Sequence, residues 1–182
     1  MEVGLGQIYW EKEFHKIHFP GMDLMEVEFF RPITPQEFAE KYEYFLSVKT
    51  DFLKMLGTEK EEGLKAFEFS DEQINQLKNG ILPRNFVVHI KYPFEYGGLI
   101  NFENMVLIQQ YPYHQNIHSY LSRQITGENG IEKPLKLYVP TPVGKVYAPY
   151  GGGSTGGGGQ TNATETKKKV NTSAIMNQGM TR

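Results

Sequence analysis

A chain of 182 residues, 39% hydrophobic and 22% charged, can enclose one modest core with extensions but not two full domains. It holds no cysteine, which excludes disulfides and thiolate ligands and leaves histidine and oxygen to hold any metal. The formal net charge of −2 becomes −5 once residues 151–182, with four basic groups and one acidic, are set aside, so bulk positive charge is excluded as a means of gripping a polyanion.

No apolar run is long enough to span a bilayer, and no basic stretch followed by an apolar core marks a cleaved secretory signal. Within residues 1–31, Met25-Glu26-Val27-Glu28-Phe29 alternates as a strand with one buried face. His15 and His18 stand three apart with no third donor nearby, which favours packing or solvent-facing histidines over a metal site. Thr34-Pro35-Gln36-Glu37 starts a helix, with a capping threonine, proline in the first turn and glutamate three after the cap. The predicted helix runs to Leu56 and ends at Gly57, with Phe38, Tyr42, Phe45, Val48, Phe52 and Leu56 as a core-facing aromatic stripe. Glu59 to Glu62 reads as a solvated acidic loop. Ser70-Asp71-Glu72-Gln73 is a second capping box, opening a short helix through Lys78 that stops at Asn79-Gly80. Pro83-Arg84-Asn85 turns the chain into a strand, and Arg84 is either a phosphate contact or a plain surface arginine.

The stretch from Val87 to Ser119 holds three of the five histidines. His89 ends an apolar, β-branched run, Gly97-Gly98 makes a turn, a second apolar run covers Met105 to Ile108, and His114 and His118 follow four apart. Two short strands and then a helix is the expected order. Residues i and i+4 share a helix face, so His114 and His118 can reach one ion from adjacent turns, with His89 arriving from the strand. The helix is expected to finish at Gln124 and to be terminated by Gly127 to Gly130. Lys133 to Lys145 carries three prolines, which restrict it to an extended or edge-strand conformation. From Gly151 the composition becomes that of a flexible glycine-rich linker and polar tail, expected to be disordered; Lys167-Lys168-Lys169 in it reads as solubilising.

Val88-His89-Ile90-Lys91, Pro93, Gly97-Gly98, Asn101, Phe102, Asn104, Val106-Leu107-Ile108 and Pro112-Tyr113-His114 together resemble the His-Asn-His (HNH) endonucleases of the ββα-metal, or His-Me finger, superfamily. The closer likeness is to the HNH/endonuclease VII-like nuclease domains of bacterial polymorphic toxins and secreted effectors. That family places two adjacent histidines at the strand end, the first a metal ligand and the second the general base. Counted from Pro93 and Gly97-Gly98, His89 is the first and Ile90, which cannot accept a proton, takes the place of the second. Counted back from Asn104, His89 is instead the base. Lys91, Tyr92 and Glu95 lie in the same loop as substitutes.

The resemblance implies an α+β fold: an N-terminal scaffold of strand and helix over residues 1–82, a ββα-metal core over 83–126, an extended proline-rich segment over 127–150 and a disordered glycine-rich tail over 151–182. It implies one divalent ion (Zn, Ni, Co, Mn or Mg) on His89, His114 and His118, with His89, Asn104 and Lys91 as the catalytic set and Asn104 bracing the loop. The implied function is metal-dependent, sequence-nonspecific hydrolysis of phosphodiesters, with DNA as the nucleic-acid partner, an immunity-type protein as inhibitor and no membrane partner. The implied setting is the bacterial cytoplasm, reached in a target cell through a dedicated secretion system. A catalytically silent nuclease-like binding module is the alternative that Ile90 brings with it.

Overall fold

The computed structural model describes residues 7–8, 17–19, 21–29, 33–124, 135–149 and 151–152. His15, the expected glycine terminator at 127–130 and the tail from 153 onward lie outside them, as does the side chain of His18. In chain order, β1 (Gln7–Ile8) and β2 (Ile17–His18) form a short antiparallel pair. Then come β3 (Met22–Phe29) and three helices, α1 (Pro35–Glu59), α2 (Glu61–Ala66) and α3 (Asp71–Lys78). β4 (Phe86–Ile90) and β5 (Met105–Gln109) run antiparallel, and α4 (Gln115–Gln124) follows an irregular turn at Gln110–His114. β6 (Leu135–Pro142) pairs antiparallel with β3, and β7 (Val146–Tyr147) adds in parallel to β5. The fold is mixed α+β.

The sheet β4-β5-β7 is covered on both faces. Successive strand residues point to opposite sides. Phe86, Val88 and Ile90 of β4, with Met105 and Leu107 of β5, join Phe45, Phe52, Leu53, Leu56, Leu64, Ile74 and Leu77 of the helices α1–α3. Val106 and Ile108 join Ile117, Tyr120 and Leu121 of α4, with Met22 and Val27 of β3 and Leu137 and Val139 of β6. Two covered faces explain why Met105-Val106-Leu107-Ile108 does not alternate in polarity, and all of β5 is buried. Each fully buried leucine or phenylalanine contributes about 1.5–3 kcal/mol, and the sheet takes part in both apolar clusters.

Both expected helix starts form as capping boxes, Thr34 with Glu37 and Ser70 with Gln73. The aromatic stripe is core only toward the C-terminal part of α1. Phe45, Phe52 and Leu56 are buried, whereas Phe38 and Tyr42 are 39% and 45% exposed and stack on each other at 6.0 Å.

Three expectations need correction. Gly57 does not end α1, which continues to Glu59; a Cβ there would overlap the backbone amide of Lys78, so the glycine admits α3 against α1. Glu59 to Glu62 is not a free acidic loop, because Glu61 opens α2 and pairs with Lys65 at 2.8 Å and Lys78 at 2.6 Å, fastening α2 to α3. Nor do Gly151 and Gly152 behave as a free linker. Gly151 and Gly152 are buried: the Gly151 carbonyl accepts from Gln109, the Gly152 carbonyl accepts from Gln73, and the Gly152 N–H donates to Phe67 O. Among the described residues no helix is long and apolar enough to cross a membrane.

Gly57 yields a test by sign. Alanine in an exposed helix interior stabilises by about 1 kcal/mol relative to glycine. Here overpacking against the Lys78 backbone is expected to make Gly57→Ala destabilising by about 1–3 kcal/mol, read from the urea midpoint at constant m-value. A stabilised variant would show that α1 and α3 do not meet this closely.

Candidate metal centre

β4 is only five residues long, yet it decides the site. Its alternation sends Val88 and Ile90 into the helix-facing cluster and leaves His89 on the α4 side, 4% exposed. After β5 the chain turns through Gln110–His114, with Tyr111 extended and Tyr113 buried. This delivers His114 to the start of α4. His118 follows one helical turn later on the same face. α4 is held by Ile117, Tyr120 and Leu121 in the core, while His114 is half-buried and His118 exposed.

The three rings converge. Centroids lie 5.2 Å apart for His89 and His114, 5.5 Å for His89 and His118, and 4.4 Å for His114 and His118. One ring nitrogen from each falls within 4.8 Å of the others, and the group can hold a metal ion. The Nε2 atoms of His114 and His118 are 3.0 Å apart. Two nitrogens each 2.0–2.1 Å from one tetrahedral ion sit about 3.3 Å apart, so the spacing already suits shared coordination. His89 Nε2 is buried without a hydrogen-bond partner among the described residues, a deficit that costs about 1–3 kcal/mol and that a cation removes. The residues therefore fit a metal.

Electrostatics favour the neutral, ligating form. Loss of water holds the His89 imidazole well below the ordinary histidine value, with His114 and His118 adding to the effect. Loss of water, then His118, lowers His114 to about 4. His118 is lowered by burial against the opposing pull of Glu95. Neutral imidazole donors suit zinc, nickel or cobalt better than magnesium, which prefers oxygen.

The loop between β4 and β5 is tied at its base by Asn104. Its Oδ1 accepts from Tyr92 N at 2.8 Å, and its Nδ2 donates to Tyr92 O at 2.8 Å and Leu99 O at 2.7 Å. Gly97 has φ +102°, and a Cβ on Gly98 would overlap the Tyr92 carbonyl, so both glycines are required by this turn. Asn104 is thus a positioning residue that braces the strand ends beside His89.

Other site expectations are redistributed. Ile90 is buried on the helix side of the sheet, facing away from the imidazoles. Lys91, expected in the catalytic set, is lowered to about 8 by burial and then by Lys145, against Glu103, and no histidine is among the groups acting on it. The Tyr92 hydroxyl donates to Tyr96 O at 2.8 Å. Arg84 is exposed in the turn just before β4, whereas His89 lies near the other end of that strand. Sequence reading missed Lys145, whose Nζ donates to Phe102 O at 3.0 Å and Glu103 Oε1 at 2.9 Å. That contact joins residues some forty positions apart, and no local pattern announces it.

Among curated proteins, the chain is similar to an uncharacterized protein, YhhZ, of Escherichia coli strain K12, at 30% identity over 134 residues. The match covers 71% of this chain and 32% of that protein, so the chain spans less than half the length of its relative. No protein-family model and no solved structure matches.

The lowered imidazoles set a pH dependence. An unfolded histidine takes up its proton near pH 6.5, whereas the folded cluster resists until far lower. The unfolded chain therefore binds more protons as pH falls from about 6.5 toward 4, and stability declines through that window. The urea midpoint of metal-free protein is expected to be highest above pH 6.5 and to fall below it, more steeply than in a His114→Gln/His118→Gln variant. Parallel slopes for the two proteins would show that the imidazoles are not held neutral.

Proposed function

We propose that the protein is a metal-dependent endonuclease of the ββα-metal type that hydrolyses DNA without sequence preference and serves as a bacterial toxin or secreted effector. The observation that carries the reading is the convergence of one strand-end imidazole with two from adjacent turns of the following helix, with His89 Nε2 buried and unpaired. The order of β4, β5 and α4 and the Asn104 brace support it. His89, His114 and His118 hold the ion, and the exposure of His118 leaves one side open, as a catalytic rather than structural site requires. When bound, a divalent ion supplies Lewis-acid polarisation of the phosphodiester and charge to meet the departing oxygen.

The proton acceptor has to come from the loop, because Ile90 is aliphatic and faces the other side of the sheet. The Tyr92 hydroxyl is taken up by Tyr96 O, and Lys91 is under the influence of Lys145 and Glu103. Glu95, half-buried in the turn at Phe94–Tyr96, is the carboxylate whose charge acts on His118. In this reading it is the group that takes the proton of an attacking water. A second reading, a catalytically silent nuclease-like module that binds nucleic acid or an immunity-type protein, is favoured by the same isoleucine.

Plasmid nicking in a panel of zinc, nickel, cobalt, manganese and magnesium separates the two, with zinc binding followed by calorimetry. The unmodified protein is expected to nick. His118→Ala should lose both metal affinity and cleavage by about 100-fold or more, whereas Glu95→Gln should lose cleavage and retain the metal. Stoichiometric metal binding with no nicking under any ion would leave the silent module in place.

A further inference from the structure

The end of the central sheet that carries the imidazoles also gathers cations. β4 finishes there, β5 begins there, and β7, parallel to β5, begins there too. Lys91 is the first residue past β4, and its N–H donates to Asn104 O at 2.8 Å, prolonging the ladder. Lys145 stands just before β7 and its carbonyl accepts from Leu107 N at 2.9 Å, while its ammonium reaches Glu103 at 2.9 Å. Glu103 is held below the usual carboxylate range by its hydrogen bond and charge contact with Lys145, then by Lys91 and Lys60. Lys91 and Lys145 thus gather around one glutamate.

This local balance opposes that of the whole chain. Two lysines against one glutamate leave it one positive charge in excess, in a protein whose formal charge is −2. Glu103 is 88% exposed, so an incoming anion can share the lysines without displacing a buried partner. Lys91 lies two residues from His89, about 6.6 Å along the strand, and Lys145 lies two strands across, about 10 Å away. Both separations are on the order of the through-space distance between neighbouring phosphates of one nucleic-acid strand.

The geometry points to Lys91 and Lys145 as the seat for the phosphodiester backbone flanking the bond that the metal centre attacks. This rests on the nuclease reading and assigns its substrate-holding surface. Glu103 is then an internal competitor, which sets the sign of its own substitution. It also reconciles an acidic protein with a polyanionic substrate, because the positive charge needed is confined to one sheet end.

The test is binding of a fluorescently labelled 20-base-pair duplex, and of its RNA counterpart, to metal-free protein in EDTA across a salt series. Lys91→Gln and Lys145→Gln are each expected to reduce the slope of log affinity against log salt by about 1, and the double variant by about 2. Glu103→Gln should tighten binding, and Lys145→Arg should keep it. Lys136→Gln, whose ammonium lies between Glu26 and Glu28, should change nothing. Glu103→Gln and Lys145→Arg retain side chains of similar size, so they keep the test decisive if the double variant melts early. Salt slopes unchanged in the lysine variants together with no gain for Glu103→Gln would overturn the assignment, as would lysine-dependent binding only to an acidic protein. Nicking by the unmodified protein with lysine-independent affinity would sink this inference alone. Lysine-dependent affinity without nicking under any metal would instead sink the nuclease reading.

Discussion

The period of two along β4, within a sheet buried on both faces, is the constraint from which the rest of the arrangement follows. A slip of one residue would carry His89 into the cluster formed by Phe45, Phe52 and Leu56 and turn Ile90 toward α4. The apolar side chains of α1–α3 resist that exchange, since they offer the imidazole no polar neighbour, whereas on the α4 side His114 and His118 can share an ion with it. The helical scaffold, remote in sequence from the histidines, thereby fixes which of two adjacent residues meets them.

α4 is positioned by a second long-range device. β6 is an edge strand of the β3-β6 sheet, and an edge presents unpaired backbone groups. Gln124, the last residue of α4, answers them with its side-chain amide: Nε2 donates to Tyr138 O at 2.8 Å, and Oε1 accepts from Tyr138 N at 2.8 Å. The helix is therefore docked at its end by a mimic of strand pairing and along its length by Ile117, Tyr120 and Leu121. Two points of attachment hold the His114–His118 face toward His89, so the proline-rich segment after the helix is part of what orients the imidazoles.

Much of this was legible in the sequence where the signal is local. The capping boxes at Thr34 and Ser70, the alternation at Met25 to Phe29, the four-residue spacing of His114 and His118 and the paired glycines all depend on neighbours within a few positions. What could not be read depends on contacts between distant segments. Gly57 looks like a helix terminator until α3 is brought against it. Glu61 looks solvated until Lys78 arrives. Gly151 and Gly152 look like linker until Gln109, Gln73 and Phe67 engage their backbones. Glycine is the recurrent source of error because one residue type serves flexibility, left-handed turns and close packing alike.

Ile90 shows how the two kinds of information interact. The HNH-type resemblance treats positions 89 and 90 as a functional pair, but the sheet treats them as belonging to different layers. Position 90 is 7% exposed among apolar neighbours, so an aliphatic side chain is what the scaffold asks for there. An imidazole at the same position would have to leave that cluster, opening a cavity under Phe94 and α1, before it could approach the metal side. In the nuclease reading, the proton-accepting role therefore passes to a group free of the ladder. The Phe94–Tyr96 turn supplies one: Phe94 anchors on the scaffold against Phe38, Tyr96 packs on the α4 side, and Glu95 between them is held in the neighbourhood of His118. In that reading the strand keeps its packing residue, and the chemistry moves to the loop that Asn104 braces.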